Sequence, residues 1–115
     1  MLEERTRAFA LAIIRVFVAL PRTEVARILG RQMVRSGTSV GAQYREGSRA
    51  RSSAEFISKL ESALQELEET QYGLELMEES NVGSKDTLAD LRREAGELIA
   101  MLTASVLTIK RRRSS

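Results

Sequence analysis

The sequence predicts an all-α protein, folded as an antiparallel up-down-up-down four-helix bundle. With one Pro, two Tyr, three Phe and no Trp in 115 residues, it is poor in strand-forming residues, whereas Ala, Leu, Glu and Arg favour helices. Apolar residues recur at spacings of three and four in four segments, which short connections make antiparallel neighbours. We predict a single domain, residues 1–115, with helices at about 4–20, 23–47, 53–80 and 85–110.

The first helix ends at Pro21, because proline excludes the preceding residue from the α region. Twelve of the thirteen residues from Ala8 to Leu20 are apolar, with only Arg15 interrupting. This stretch is shorter than the roughly 20 residues that cross a bilayer. It also lacks a small-residue cleavage site, so we predict a cytoplasmic protein without a membrane partner. A helix apolar on nearly every side must bury more than one face, which indicates self-association.

The second and third helices begin at capping residues. Thr23 is the expected N-cap of the second helix. Residues of its predicted inner face follow at spacings of three and four: Val25, Ile28, Leu29, Gln32, Met33, Ser36, Val40 and Tyr44. The third helix opens with the Ser-x-x-Glu capping box of Ser52 and Glu55. Its predicted inner face then alternates steps of four and three: Phe56, Leu60, Ala63, Leu67, Thr70, Leu74 and Met77.

The fourth helix is expected to begin around Ser84 to Asp86 and to fade into the basic run 110–113. Its predicted inner face has the same spacing as that of the third helix: Leu88, Leu91, Ala95, Leu98, Leu102, Ser105 and Ile109. Steps of three and four are typical of helices packed at a shallow left-handed angle.

Small residues cluster in the second helix, at Ser36, Gly37 and Gly41. A glycine inside a helix costs about 1 kcal/mol relative to alanine, so we expect a compensating contact. Small side chains on one face allow another helix to approach closely. A backbone cradle for an anion is the alternative, but the segment lacks the Gly-Lys-Ser/Thr ending and preceding strand of a phosphate loop.

Charge is segregated along the chain, although the net charge is only +2. An up-down-up-down bundle places both termini and the second loop at one end. Nine basic residues gather there: Arg5, Arg7, Arg45, Arg49, Arg51, Lys110, Arg111, Arg112 and Arg113. Four carboxylates, Glu3, Glu4, Glu46 and Glu55, leave about +5 per chain at this pole. We predict nucleic-acid contacts at Arg45, Arg49, Arg51, Lys110, Arg111, Arg112 and Arg113; the alternative is a solvated surface with a frayed tail.

Two further sets of residues have a structural and a functional interpretation. Arg27, Arg31 and Arg35 share one helix face because they are four residues apart. They could contact phosphate, but pairing with acids of the third helix or across a subunit interface is favoured; the third helix offers Glu61, Glu68, Glu75 and Glu79. Tyr44 and Tyr72 could stack on bases, but partial burial is the favoured interpretation.

The composition removes most catalytic chemistry. The chain has no Cys and no His, so it cannot form a thiolate or imidazole metal site or a histidine-dependent catalytic unit. Glu66 and Glu69 are three residues apart, but a di-iron bundle pairs such acids with histidine. We predict a protein that is not an enzyme, with no metal, no cofactor and no small-molecule substrate.

One run of residues resembles a known family. It comprises 31–42, Glu46-Gly47, Ser53, Phe56-Ile57, Lys59-Leu60, Ala63, Glu66 and Glu69-Thr70. This pattern is similar to that of the four-helix-bundle proteins encoded in intervening sequences of bacterial large-subunit ribosomal RNA genes, and it extends over almost the whole chain. Gln43 and Gly73 depart from the family's frequent Asn and Trp.

The resemblance implies a left-handed bundle, a ring-shaped homopentamer and no enzyme activity. Distantly similar accessory proteins of diversity-generating retroelements work with a reverse transcriptase and its RNA, which implies nucleic-acid association. The leading hypothesis is therefore a non-enzymatic oligomeric scaffold that binds nucleic acid, RNA favoured, through the basic pole with little sequence specificity. The alternative is a protein-interaction scaffold that binds a partner protein without nucleic acid.

Overall fold

The described residues form four helices and no strand, which confirms the all-α prediction. The computed structural model describes residues 1–114, with side chains through Arg113, and Ser115 of the predicted domain lies outside the described residues. The helices are α1 (Leu2–Ala19), α2 (Glu24–Ser48), α3 (Ser53–Glu79) and α4 (Lys85–Ser114). They pack into a bundle measuring 52 × 20 × 19 Å. None of the described helices is long and apolar enough to cross a membrane.

The predicted helix boundaries hold to within two residues except at the end of α4. That helix does not fade at residue 110 but continues through the three arginines to Ser114. Basic side chains in the last turn of a helix interact favourably with its negative end, because the last carbonyl groups have no partner within the helix. The run 111–113 is therefore helical, and the alternative interpretation of a frayed tail is wrong for these residues.

The predicted caps of α2 and α3 are confirmed. The Thr23 hydroxyl accepts a hydrogen bond from the Ala26 N–H at 3.2 Å. The Ser52 hydroxyl accepts from the Glu55 N–H at 3.1 Å, and the Glu55 carboxylate accepts from the Arg51 N–H at 3.3 Å. The reciprocal bond of the capping box thus goes to the residue before the N-cap. Both caps satisfy backbone donors that lack a partner in the first turn.

The end of α3 is fixed by a Schellman motif. Asn81 takes the left-handed conformation with φ of 58°. The Val82 N–H donates to the Met77 carbonyl at 2.9 Å, and the Asn81 N–H donates to the Glu78 carbonyl at 3.2 Å. This pair of bonds defines the motif, in which a buried apolar residue usually follows the left-handed one. Val82 is that residue.

The core follows the predicted inner faces in the middle of α3 and α4. It departs from the prediction at one end of each helix. Leu60 to Met77 and Leu88 to Leu102 are buried at the expected positions. At the ends, Ile57 is buried in place of Phe56, and Val106 in place of Ser105. A straight helix has 3.6 residues per turn, so a seam projected at 3.5 drifts by about 20° per heptad.

Two helices leave apolar side chains at the surface. On α2, Val25 and Ile28 were predicted to face the core with Gln32, but all three are exposed. Ala26, Gly30 and Gly37 are buried on that helix instead. On α1, the excess of apolar residues over one buried stripe leaves Leu11, Ile14 and Val18 exposed. The buried face of α2 contains glycine and alanine at these positions because α1 packs closely against it.

The close approach of α1 to α2 explains the glycines of α2. A Cβ atom built on Gly30 would lie 2.7 Å from a ring carbon of Phe17, and one on Gly37 would lie 3.0 Å from Ile13. A Cβ atom on Gly41 would lie 3.4 Å from the Thr6 hydroxyl. Gly37 and Gly41 therefore make the predicted close helix contact. Ser36 faces the other neighbour: it is the hydrogen-bond partner of Thr70 in α3.

Gly73 in α3 has no such contact, and we expect Gly73→Ala to stabilise the protein. A Cβ atom there would meet nothing within 4 Å. Alanine should therefore raise the free energy of unfolding by about 0.5–1 kcal/mol, since glycine loses more backbone freedom in a helix. Gly37→Ala is the matched control, where contact with Ile13 should cancel most of this gain. Chemical denaturation of both variants measures the difference; an equal gain at the two sites would contradict the packing account.

Candidate nucleic-acid interface

The loop between α2 and α3 lies beside the last turns of α4. Arg51 and Ile109 line one small surface hollow, together with Gly47 and Phe56. Next to it, the Lys110 ammonium donates to the Glu61 carboxylate at 3.2 Å. The helix then continues through Arg111, Arg112 and Arg113 on exposed turns. The structure thus brings the last turns of α4 next to Arg51 of the α2–α3 loop.

Further arginines from α1 and α2 line a wide groove near the same end. Arg7, Arg45 and Arg49 border this groove, whose volume is about 870 Å³. Lys59 and four carboxylates also line it, so the groove itself is mixed in charge: Glu3, Glu4, Glu46 and Glu55. Its floor is built of small residues of α2, including Gly41 and Ala42. Arg45 and Arg49 lie one helical turn apart, so their guanidinium groups follow the same wall.

The predicted pole also contained Arg5, and this part of the prediction is wrong. The Arg5 guanidinium donates to both oxygens of Glu94, at 2.6 and 3.1 Å, and contacts Glu97 at 3.5 Å. The hydrogen bond to Glu94 raises the pKa of Arg5, so the guanidinium stays charged but is neutralised by α4. The sequence hid this pair because Arg5 and Glu94 are 89 positions apart.

Two cations near this end are also neutralised by nearby carboxylates. Besides the Lys110–Glu61 pair, Lys59 donates to Glu46 at 2.9 Å, and this hydrogen bond raises the pKa of Lys59. Glu46 and Lys59 are almost the same number of residues away from Ser52 in the α2–α3 loop, one before it and one after it. Residues placed in this way lie opposite each other on two antiparallel helices, so the pair could have been predicted from the sequence. By formal charge, the other ionisable side chains at this end are seven arginines, of which Arg112 also has a partner, and three carboxylates, Glu3, Glu4 and Glu55. We call the seven the basic end: Arg7, Arg45, Arg49, Arg51, Arg111, Arg112 and Arg113.

The arginine ladder on α2 divides in the structure. Arg35 pairs with Glu69 at 2.9 Å and with Glu66 at 3.7 Å, on the flank of α3 that faces α2. The expected acids lie elsewhere, since Glu61 faces α4 and pairs with Lys110. Arg27 and Arg31 are exposed, and within residues 1–113 neither has an ion pair. The favoured pairing therefore holds for one arginine of three, with acids that were not foreseen.

The two tyrosines also differ. Tyr44 is half-buried against the core, as expected. Tyr72 is 63% exposed on the acidic face of α3, so the expectation of partial burial is wrong there. Its neighbours one turn away, Glu68, Glu69 and Glu75, would repel a phosphate backbone. Tyr72 is thus no part of the basic end.

A buried polar contact joins α2 and α3 in the middle of the bundle. The hydroxyls of Thr70 and Ser36 are hydrogen-bonded at 2.7 Å, and Ser36 also donates to the Gln32 carbonyl at 3.0 Å. Beside this contact, at the surface, Arg35 donates to Glu69. Hydrogen-bonded hydroxyls avoid the penalty for an unsatisfied buried group. Within the described part of the chain, no cluster of three acidic residues could hold a metal ion.

Comparison with known proteins places the chain in a family. A model of the 23S rRNA-intervening sequence proteins matches residues 2–104. Among solved structures, the chain is similar to a protein of unknown function from the S23 ribosomal protein family of Bacteroides thetaiotaomicron, with 30% identity and a TM-score of 0.85. The match covers 92% of this chain and 98% of that one. No curated protein matches significantly.

The family match covers α1 to α3 and most of α4, including the glycine contacts between α1 and α2 and the arginines of the α2–α3 loop. It stops at residue 104 and so does not include the arginines at the end of α4, residues 111–113. The fold, the helix boundaries and the matched segment agree with one another. The protein belongs to the family of 23S rRNA-intervening sequence proteins.

Proposed function

We propose that this protein is a non-enzymatic, homo-oligomeric scaffold that binds RNA in the bacterial cytoplasm, with little sequence specificity. The single observation that carries the proposal is the concentration of arginines at the basic end. It combines residues of α1, the C-terminal half of α2, the α2–α3 loop and the last turn of α4. The proposed RNA contacts are the seven arginines of the basic end. Lys110, which the sequence also predicted as a contact, is left out because it pairs with Glu61.

The proposed topology is the antiparallel up-down-up-down bundle. Its support is the order of side-chain contacts between consecutive helices. Along α1 and α2, Thr6 meets Gly41 whereas Phe17 meets Gly30. Between α3 and α4, Glu61 pairs with Lys110 whereas Glu78 pairs with Arg92. The residue numbers rise on one helix as they fall on the next, as expected for antiparallel neighbours.

Assembly would multiply the field of the basic end. Seven arginines against three carboxylates give each chain about +4 there. Five parallel subunits in a ring, the arrangement that the family resemblance implies, would present on the order of +20 on one rim. Such a rim attracts phosphates and displaces condensed counterions, so binding would be strongly dependent on salt.

The chemistry of the basic end favours phosphate contacts over the reading of bases. Guanidinium groups form charge-assisted hydrogen bonds to phosphate oxygens. Aromatic side chains for stacking on unpaired bases are not among the proposed contacts. A second candidate function is a protein-interaction scaffold, favoured by the exposed carboxylates of α3, among them Glu68, Glu75 and Glu79. That face would suit a basic protein partner.

The test is the salt dependence of RNA binding. Fluorescence anisotropy with a labelled 30-nucleotide single-stranded RNA of mixed sequence, and with a second RNA of scrambled sequence, should be recorded from 50 to 300 mM KCl. We expect both RNAs to bind at low salt with similar affinity. The logarithm of the association constant should fall steeply against the logarithm of salt, by about 0.7 for each phosphate neutralised.

Two outcomes would overturn the proposal. Failure to bind either RNA at 50 mM KCl would leave the protein-interaction scaffold as the remaining function. Binding of one sequence alone, with little dependence on salt, would place recognition in base contacts and away from the basic end.

A further inference from the structure

The outer face of α1 is apolar although it faces solvent in the single chain. Leu11, Ile14 and Val18 are 46%, 41% and 77% exposed. They are spaced by three and four residues, so they form one continuous strip on the helix, which we call the α1 ridge. The ridge covers about two turns, or roughly 10 Å, along the helix axis. A surface helix in a globular protein normally carries polar residues on this face.

Beside the ridge, an apolar groove of about 500 Å³ runs between α1 and α4. Its α1 wall includes Ala8, Ala12, Val16 and Ala19, and Leu91 contributes from α4. We call this feature the α1–α4 groove. It exists because α1 turns small side chains towards α4 over most of its length. From Ala8 to Ala19 the wall extends about 16 Å, which is long enough for a ridge of about 10 Å.

The borders of the ridge and the groove carry opposite charges. Arg27 and Arg31 of α2 flank Gly30, the residue against which Phe17 of α1 packs. Both are exposed without an ion pair in the described part of the chain. The α4 border of the groove carries Asp90 and Glu94. The Asp90–Arg93 pair is exposed on both sides, and such pairs contribute little, so Asp90 can exchange its partner.

The groove also contains one cation, Arg15, on its α1 side. Asp86 lies four residues before Asp90, and Glu97 lies three residues after Glu94. Both residues therefore extend the acidic border along α4. Arg5 neutralises part of this border through Glu94 and Glu97. With Arg15 in the groove and Arg93 beside Asp90 also counted, the four carboxylates leave the α4 side with a net charge of about −1, while the α2 side of the ridge is basic.

We propose that the α1 ridge of one chain inserts into the α1–α4 groove of a second copy, with Arg27 and Arg31 facing the acidic border of α4. This inference rests on the self-assembly in the proposed function and identifies the surfaces that meet. A second copy is the occupant because one chain carries both halves, an apolar strip with a basic border and an apolar groove with an acidic one. Burial of apolar area drives such contacts, and the charges fix their orientation.

The decisive experiment disrupts the α1 ridge and the α1–α4 groove in separate variants. Leu11→Glu places a charge in the middle of the ridge, and Ala8→Arg fills the groove with a long side chain. Leu107→Glu is the matched control, because Leu107 is 48% exposed on α4 and lines neither surface. Light scattering coupled to size exclusion gives the mass of each variant. Circular dichroism melting curves confirm that each is folded.

We expect the parent and Leu107→Glu to share one assembled mass. Leu11→Glu and Ala8→Arg should each fall to the 12.8 kDa of a single chain while keeping the parental helix content. A mixture of these two variants should form a dimer of about twice that mass. Each variant keeps the half that the other has lost, so one intact contact forms per pair.

The outcomes separate this inference from the proposed function. A parent that is assembled while Leu11→Glu keeps the same mass would overturn the ridge contact and leave the proposed assembly intact. Two monomeric variants that do not combine on mixing would show that the ridge and the groove do not meet each other. A monomeric parent would overturn both the inference and the proposed assembly, whereas RNA binding is measured independently by anisotropy.

Discussion

Alanine at Arg49, Arg51, Arg111, Arg112 and Arg113 should flatten the salt dependence of RNA binding more than any other change considered for this protein. If each arginine neutralises one phosphate of a single-stranded RNA, the slope of log K against log salt should become less steep by up to about 3.5. At low salt this corresponds to a loss of affinity of several orders of magnitude. Anisotropy measured on the parent and the variant across the same salt range gives both numbers.

A smaller matched pair of variants separates location from net charge. The double variant Arg49→Ala/Arg51→Ala removes two cations from the basic end, and Arg22→Ala/Lys85→Ala removes two from exposed positions near the other loops. Those loops meet each other, since a Cβ atom on Gly83 would lie 3.1 Å from Leu20. We expect the first pair to flatten the slope by about 1.4 and the second to leave it at the parental value. Equal slopes for the two pairs would show that RNA responds to total charge alone.

The largest effect on folding should come from Leu67→Ala. Leu67 is fully buried in α3, and its removal leaves a cavity that the surrounding side chains fill only in part. The free energy of unfolding should fall by about 2–5 kcal/mol, which combines the lost transfer energy with the cost of the cavity. This is a substantial fraction of the roughly 5–15 kcal/mol by which domains are stable. Urea denaturation followed by circular dichroism measures the change.

Leu107→Ala is the control for this prediction. Leu107 lies on α4 with 48% of its surface exposed, so its truncation should change the free energy of unfolding by less than about 0.5 kcal/mol. Because an assembled protein unfolds with a concentration-dependent midpoint, both variants should be compared with the parent at one protein concentration. A cost for Leu107→Ala as large as that for Leu67→Ala would contradict the burial assigned to both leucines.

Local signals in the sequence were sufficient to locate the helices. Thr23, Ser52 and Pro21 act on backbone groups within four residues, so their effect is readable without knowledge of the fold. The spacing of Leu60, Leu67, Leu74 and their neighbours likewise predicted the buried face of α3. The buried position differs from the predicted one by one residue only at one end of α3 and of α4. A prediction that assumes 3.5 residues per turn deviates from the true helix by an angle that grows with length.

Which face of α2 is buried, and which residues form ion pairs, could not be predicted because both depend on the neighbouring helix. Val25 and Ile28 have the correct period for the core, but the glycines of α2 allow α1 to pack on a different face of the helix. The interaction between Arg5 and Glu94 joins the first helix to the last. No local pattern encodes that contact, so the sequence overestimated the charge of the predicted pole. The arginines of the α2–α3 loop were placed correctly because a short loop fixes where they lie.

The three glycines that α1 meets also constrain how the first helix can move. A shift of α1 by one turn, about 5.4 Å, would bring Ile13 opposite Met33 in one direction. In the other direction it would bring Phe17 opposite Val34, where a side chain fills the space that Gly30 leaves open. In either direction a large side chain of α1 would therefore meet a side chain of α2 in place of a glycine, so the three glycines favour the observed register of α1 on α2.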